Sequence, residues 1–346
     1  MQNAKKKIAV FFTGGTISMK KSQSGGVDLQ ASNPLASSTE KSMDDFLKAN
    51  NVELIQELVF GEPIPSSQMT EQLMFTLRRA ILEKVHSEKV DGVVITHGTD
   101  TLEETAFFLD LTVDHSIPIA ITGAMRSSDA LGADGVYNYQ CAIKTAICDE
   151  AKGMGTLLVF NGEIHAAGDV TKTHATDLAT FKSPDFGAIG AITEKGVVFR
   201  RKLNPRKVFN IQGMGKKVIL IKAFAGIDTT FFDALEALEE KQAGENKPPA
   251  IDGLVIEAFG AGNLPAKLVG CLKKLEERKI PMVLATRCLS GSVQEVYDYA
   301  GGGKSLKREL KSLIFSNGLS GVKSRLKLAV LLEGVASPEE LEGVWV

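Results

Sequence analysis

The feature that most constrains this chain is a unit that recurs along it: a short apolar run that stops at a polar turn and gives way to a helical pattern. Val94-Ile95-Thr96-His97-Gly98-Thr99-Asp100-Thr101-Leu102-Glu103-Glu104-Thr105 shows the unit in full, with Ala106, Phe107 and Phe108 continuing the helix. Residues 8–12 empty in the same way into Thr13-Gly14-Gly15-Thr16-Ile17, and residues 117–121 into Thr122-Gly123-Ala124-Met125-Arg126. Residues 156–160 are a further apolar run, leading toward Asp169-Val170-Thr171-Lys172-Thr173. Continuous apolar runs fit strands buried on both faces. Their alternation with amphipathic helices predicts a doubly wound, mostly parallel sheet whose strands all end at one crevice.

At 346 residues the chain exceeds one ordinary core and predicts two domains. The pattern lapses after Arg200 into charge, Asn204-Pro205 and Gly213-Met214-Gly215. The expected division is therefore an N-terminal catalytic domain over 1–200, a linker over 201–217 and a smaller, Rossmann-like α/β domain over 218–346. In the latter, strands are expected near 218–221, 254–257 and 282–285, with helices over 230–241, 265–277 and 324–332. Thr70 is placed to cap a helix whose apolar stripe is Leu73, Met74, Leu77, Ile81, Leu82 and Val85. Residues from Lys20 to about Asn33 are polar and aperiodic and read as a surface loop, well placed to be a lid.

A net charge of −2 argues against nucleic acid or an anionic membrane as partner and favours a small solute. No run approaches the roughly 20 apolar residues that span a bilayer, and the apolar stretch after Lys5-Lys6-Lys7 is too short for a signal peptide. A cytoplasmic location is expected. The four cysteines, Cys141, Cys148, Cys271 and Cys288, form no zinc spacing and read as buried small hydrophobes in a reducing compartment. The five histidines lack paired ligand spacing, so neither a metal nor a cofactor is expected. Gly301-Gly302-Gly303-Lys304-Ser305 is a phosphate-loop look-alike with Asp298 where the first glycine belongs, and no G-x-S-x-G elbow occurs.

Thr16, Thr99 with Asp100, and Thr171 with Lys172 all follow predicted strands. A hydroxyl becomes a nucleophile only when a neighbour takes its proton, and a lysine held partly neutral can do so. Glycine-rich turns supply backbone N–H groups for an oxyanion. The set points to acyl transfer from an amide or ester. The competing reading of Thr99 or Asp100 is an ordinary helix cap. His97 reads as a hydrogen-bonder beneath the turn rather than as a base.

Together, Thr13-Gly14-Gly15-Thr16-Ile17, the 97–105 stretch, Ile121-Thr122-Gly123-Ala124-Met125-Arg126 and Asp169-Val170-Thr171-Lys172-Thr173 resemble, in order, the bacterial L-asparaginase (asparaginase/glutaminase) family of cytoplasmic type. The resemblance implies hydrolysis of L-asparagine through a threonine acyl-enzyme, with side activity on L-glutamine left open. It assigns the nucleophile to Thr16 and the second threonine and its lysine to Thr99 and Lys172. Asp100 corresponds to the carboxylate that receives the substrate's amine. Ser66, in a turn with Ser67, corresponds to the serine that holds the α-carboxylate. Gly98 and Ala124 fall at the substrate, Ala124 through its backbone. Asn263 corresponds to a residue reaching a neighbouring subunit's site, in keeping with a homodimer or homotetramer. An acidic residue after Cys288-Leu289-Ser290-Gly291 is also expected, with Asp298 favoured by spacing and Glu295 the alternative. The family's lid tyrosine is missing: Gly26 or Val27 stands in its place, so that either Lys172 with Thr99 takes over its duty, or a hydroxyl such as Ser22 or Ser24 does, or turnover is weak. Rival readings are a non-catalytic amino-acid sensor on the same fold and the glutaminase subunit of a tRNA amidotransferase, the latter disfavoured because so little chain precedes Thr13.

Overall fold

The structure is a computed structural model and describes residues 4–21, 27–29, 40–334 and 340–345. The chain divides into two compact units, residues 1–208 and 209–346.

In the first unit the strands are Lys6–Phe12 (β1), Met19–Lys21 (β2), Val27–Leu29 (β3), Val52–Leu58 (β4), Gly92–Thr96 (β5), Ile119–Thr122 (β6), Thr156–Phe160 (β7), Glu163–Ala166 (β8), Thr171–Lys172 (β9), Phe181–Lys182 (β10), Gly190–Thr193 (β11) and Gly196–Phe199 (β12). The helices are Glu40–Ala49 (α1), Glu71–Glu88 (α2), Leu102–Thr112 (α3) and Gly135–Ala146 (α4). The main sheet runs β12-β11-β8-β7-β6-β5-β1-β4 and is parallel from β4 to β7. Side chains alternate across it. Ile8, Val10 and Phe12 join a core with Met43 of α1 and Ala142, Ile143 and Ala146 of α4, while Ala9 and Phe11, equally buried, lie outside that cluster. The helix beginning after Thr70 forms as expected: Thr70 Oγ1 accepts the Leu73 N–H at 3.3 Å, and Met74, Leu77, Ile81 and Val85 are buried.

Three expectations need correction. Not all strands end at one crevice, because β8 runs antiparallel to β7 and β12 antiparallel to β11. The reversal is made by Asn161 (φ 48°) and Gly162 (φ 76°), both in the left-handed region that a tight hairpin turn requires. The segment from Lys20 is not wholly irregular, since β2 pairs antiparallel with β3. Ser22, Ser24 and Gly26 lie outside the described residues. Only Cys141 of the four cysteines is buried, and Cys288 is exposed.

The chain leaves β1 through α1 toward β4 on one side, and leaves β5 through α3 toward β6 on the other. Neighbouring strands whose connections part in this way open a crevice at their C-terminal ends, the usual ligand position in such sheets. The steps β1 to β4 and β6 to β7 cross the sheet in opposite directions, yet α1 and α4 share one core cluster. The two crossovers therefore have opposite hands, so one departs from the strong right-handed preference.

In the second unit, Val218–Lys222 (β13), Gly253–Ala258 (β14), Met282–Thr286 (β15) and Leu313–Phe315 (β16) form a parallel sheet in sequence order. Its helices are Thr230–Gly244 (α5), Val269–Glu277 (α6), Gly303–Glu309 (α7), Gly321–Leu332 (α8) and Leu341–Trp345 (α9). One core joins Phe232 and Leu235 of α5, Leu272 and Leu275 of α6, and Leu254, Ile256, Met282 and Leu284 of the sheet. Residues 200–217 carry no regular secondary structure.

Candidate active site

The site begins with two turns pressed together at the crevice. After β1, Gly14 (φ 118°) and Gly15 (φ 84°) bend the backbone through conformations that L side chains avoid. A Cβ on Gly15 would stand 2.3 Å from both the Cα and the N of Gly98, in the turn after β5. A Cβ on Gly98 would in turn stand 2.5 Å from Ser66 Oγ. Three segments thus meet only because two of them lack side chains at the contact. Thr13 ties the first turn down, donating through N–H and Oγ1 to Thr96 O and accepting from Ile64 N.

Ser66 is 6% exposed in a short 3-10 turn. Its Oγ accepts the Asp100 N–H at 3.2 Å, and its carbonyl accepts from Thr101 Oγ1 at 2.8 Å. Thr101, not Thr99 or Asp100, is the residue that precedes α3, and no side chain caps the helix there. The helix-cap reading of Thr99-Asp100 is thereby excluded.

The Lys172 ammonium completes the cluster. Its Nζ lies 2.9 Å from Thr99 Oγ1 and 2.8 Å from Asp100 Oδ1, with the lysine side chain 17% exposed and the aspartate 65%. Gly15, Thr16, Met19, Pro65, Ser66, Gly98, Thr99, Asp100, Met125, Lys172 and Ala175 line a cavity of about 190 Å³. Three hydroxyl-bearing residues, an amine and a carboxylate therefore line one small, open, polar chamber. Chemically this suits binding a zwitterionic solute and transferring its acyl group.

His97 lies wholly buried beneath the turn. Its ring nitrogens meet Gly98 O at 2.7 Å and Thr105 Oγ1 at 3.0 Å, and burial lowers its pKa to about 4. The ring is neutral at physiological pH and shapes the turn, as its position in the sequence suggested. On the other side, Asp134 accepts the N–H groups of Met125 and Arg126, both at 3.0 Å. Buried Asn138 bridges Gly123 O and the Asn161 N–H. The loop after β6 is thus held down, and Ser128 hydrogen-bonds Met19 O at the start of β2.

Of the residues anticipated from sequence, Thr16, Ser66, Gly98, Thr99, Asp100 and Lys172 line this one cavity. Ser67 is exposed and is not part of the lining. Ala124 is fully buried among core residues, leaving only its backbone to serve a ligand. Asn263 and Asp298 belong to the second unit. There, Asn263 follows Gly262 (φ 108°), and its Oδ1 is buried without a hydrogen-bond partner among the described residues. Asp298 hydrogen-bonds Arg308 and lies 3.5 Å from Lys304, and these cations hold its carboxyl below the usual range. Glu295 is exposed. Met19, Pro65, Met125 and Ala175 were not anticipated, because nothing in a linear pattern marks a residue as lining. Among the described residues no three His, Cys, Asp or Glu side chains gather as a metal site.

A family model described as "Asparaginase, N-terminal" matches residues 7–205, and one described as "Glutaminase/Asparaginase C-terminal domain" matches residues 217–344. An L-asparaginase of Bacillus licheniformis is 33% identical, covering 94% of this chain and 95% of the relative. A probable L-asparaginase of Deinococcus radiodurans is 34% identical, covering 98% and 97%. The solved structure of a probable cytoplasmic L-asparaginase from Campylobacter jejuni matches with a TM-score of 0.81 at 29% identity, over 99% of each chain. With both family models matched and relatives above 30% identity across nearly its whole length, the chain belongs to the asparaginase family of hydrolases.

Proposed function

We propose that this protein converts L-asparagine to L-aspartate and ammonia through an acyl-enzyme on Thr16. The observation that carries the reading is the Lys172 Nζ–Thr99 Oγ1 contact of 2.9 Å in a cavity that Thr16 also lines. The substrate's α-amino group pairs with the Asp100 carboxylate, and its α-carboxylate is received at Ser66. Thr16 Oγ1 attacks the side-chain amide carbon, ammonia leaves with a proton, and water then cleaves the ester to release aspartate. Lys172, when neutral, accepts the proton through Thr99, which activates the attacking hydroxyl or water. The oxyanion of each tetrahedral intermediate requires donors already in place. The Thr99 N–H, which makes no hydrogen bond among the described residues, is suited to that duty.

Domains over 1–200 and 218–346 joined through 201–217, a homodimer or homotetramer that brings Asn263 and an acid such as Asp298 or Glu295 to a neighbouring site, and a cytoplasmic location all accompany this reading. Support for the location is the cytoplasmic name of the Campylobacter jejuni neighbour; no described helix is long and apolar enough to cross a membrane. The test is ammonia release from L-asparagine, D-asparagine, L-glutamine and β-aspartyl amides, with calorimetry alongside. Turnover highest on L-asparagine is expected. Tight asparagine binding without ammonia would instead establish the sensor.

A further inference from the structure

Lys172 carries the proposed proton transfer, yet its strand is not part of the eight-stranded sheet. Among the described residues, the two residues of β9 pair only with β10. In that pair the Thr173 N–H donates to Thr180 O at 2.8 Å. Antiparallel ladders alternate between bonded and non-bonded residues, so the N–H of Lys172, one residue earlier, points away from β10. Among the described residues no further strand stands beside this two-stranded ribbon to receive an outward N–H. Here it donates to Glu103 Oε2 at 2.5 Å.

Glu103 is 9% exposed and sits in the first turn of α3, three residues after Asp100. We propose that Glu103 is a positioning residue for Lys172, its carboxylate standing in for a missing neighbouring strand. Lys172 is then clamped at both ends by one segment: its backbone N–H by Glu103, its Nζ by Thr99 and Asp100. A hydrogen bond to an ionised acceptor is roughly twice as strong as a neutral one, which suits an anchor holding a whole ribbon. Without the anchor, β9 is free to shift by an ångström or so, enough to break the Nζ–Thr99 contact. Catalysis is sensitive to displacements of that order.

The inference rests on Lys172 being the proton acceptor, so the experiment includes Lys172→Met beside Glu103→Ala, Glu103→Gln and Glu103→Asp. Each is assayed for kcat and KM on L-asparagine, with a melting curve. Glu103→Ala is expected to lower kcat by about 30- to 300-fold while KM moves less than about threefold, since Ser66 and Asp100 are untouched. Glu103→Gln, whose amide oxygen accepts the same N–H, is expected to restore most of the loss. If the alanine variant does not fold, Glu103→Asp carries the test: its carboxylate falls one methylene short, and an unchanged melting temperature with a kcat loss of about tenfold or more is expected. Wild-type kcat in Glu103→Ala or Glu103→Asp, with Lys172→Met inactive, overturns the proposal alone. Equal losses in the glutamine and alanine variants also overturn it, because the glutamine keeps an acceptor for the Lys172 N–H and gives up only the added strength of the charge. An active Lys172→Met removes the lysine's role and the anchor's purpose together.

Discussion

Gly15 and Gly98 meet backbone to backbone, so closely that a single Cβ on Gly15 would lie 2.3 Å from the Gly98 Cα. This contact joins the turn bearing Thr16 to the turn bearing Thr99 and Asp100. Gly15→Ala combines that overlap with a φ of 84°, and is expected to destabilise the protein by about 1–3 kcal/mol and to lower ammonia release. Gly61→Ala is the control: its φ is 76°, but a Cβ there meets nothing within 4 Å. It should cost only the left-handed backbone penalty of about 1–2 kcal/mol and leave turnover unchanged. Denaturant titration and a steady-state assay of both variants check the difference.

Ser66 has two jobs, accepting the Asp100 N–H through Oγ and fixing Thr101 through its carbonyl. Ser66→Ala keeps the carbonyl contact but removes the first, together with the hydroxyl proposed to receive the substrate's α-carboxylate. The expected result is a KM raised by about tenfold or more with a smaller change in kcat, the pattern of lost ground-state binding. Initial rates across a range of L-asparagine concentrations decide it.

His97 makes stability depend on pH. Its pKa is lowered from the ordinary 6.5 to about 4 by burial, so between those values the unfolded chain binds a proton that the folded one refuses. Stability contributed at this site is full above pH 6.5, declines as the pH falls, and levels off below about 4, by about 3 kcal/mol in all. His97→Gln should flatten the wild-type slope across that window. Urea midpoints at pH 4.5 and pH 7 for both proteins measure it.

The centre of the main sheet was legible because its parallel strands β1, β5, β6 and β7 are buried on both faces and so read as unbroken apolar runs, as in Ile8 to Phe12. The turns after β1 and β5 were legible for a related reason: their glycines and threonines interrupt those runs abruptly. The hairpin at Asn161-Gly162 was legible in principle, since that dipeptide favours the required left-handed turn; the apolar run before it is a parallel strand as expected, and the unforeseen part is the antiparallel return of residues 163–166. The sheet position of α4 was not legible, because local pattern carries no handedness. Nor was the anchor at Glu103: a first-turn acid suits any helix, and only the tertiary fold brings it to Lys172. Lys172 and Thr99 are separated by 73 positions, and their pairing came from resemblance rather than from spacing.

The central claim is that Thr16 carries the acyl group while Thr99 and Lys172 move the proton. Its most direct test is quenched-flow mass spectrometry of the protein turning over L-asparagine, with Thr16→Val beside it. An aspartyl ester on Thr16 during turnover is predicted, together with a loss of kcat of at least about 10³-fold in the folded variant. An ester on another residue, or a Thr16→Val variant within tenfold of wild-type kcat, would contradict the account.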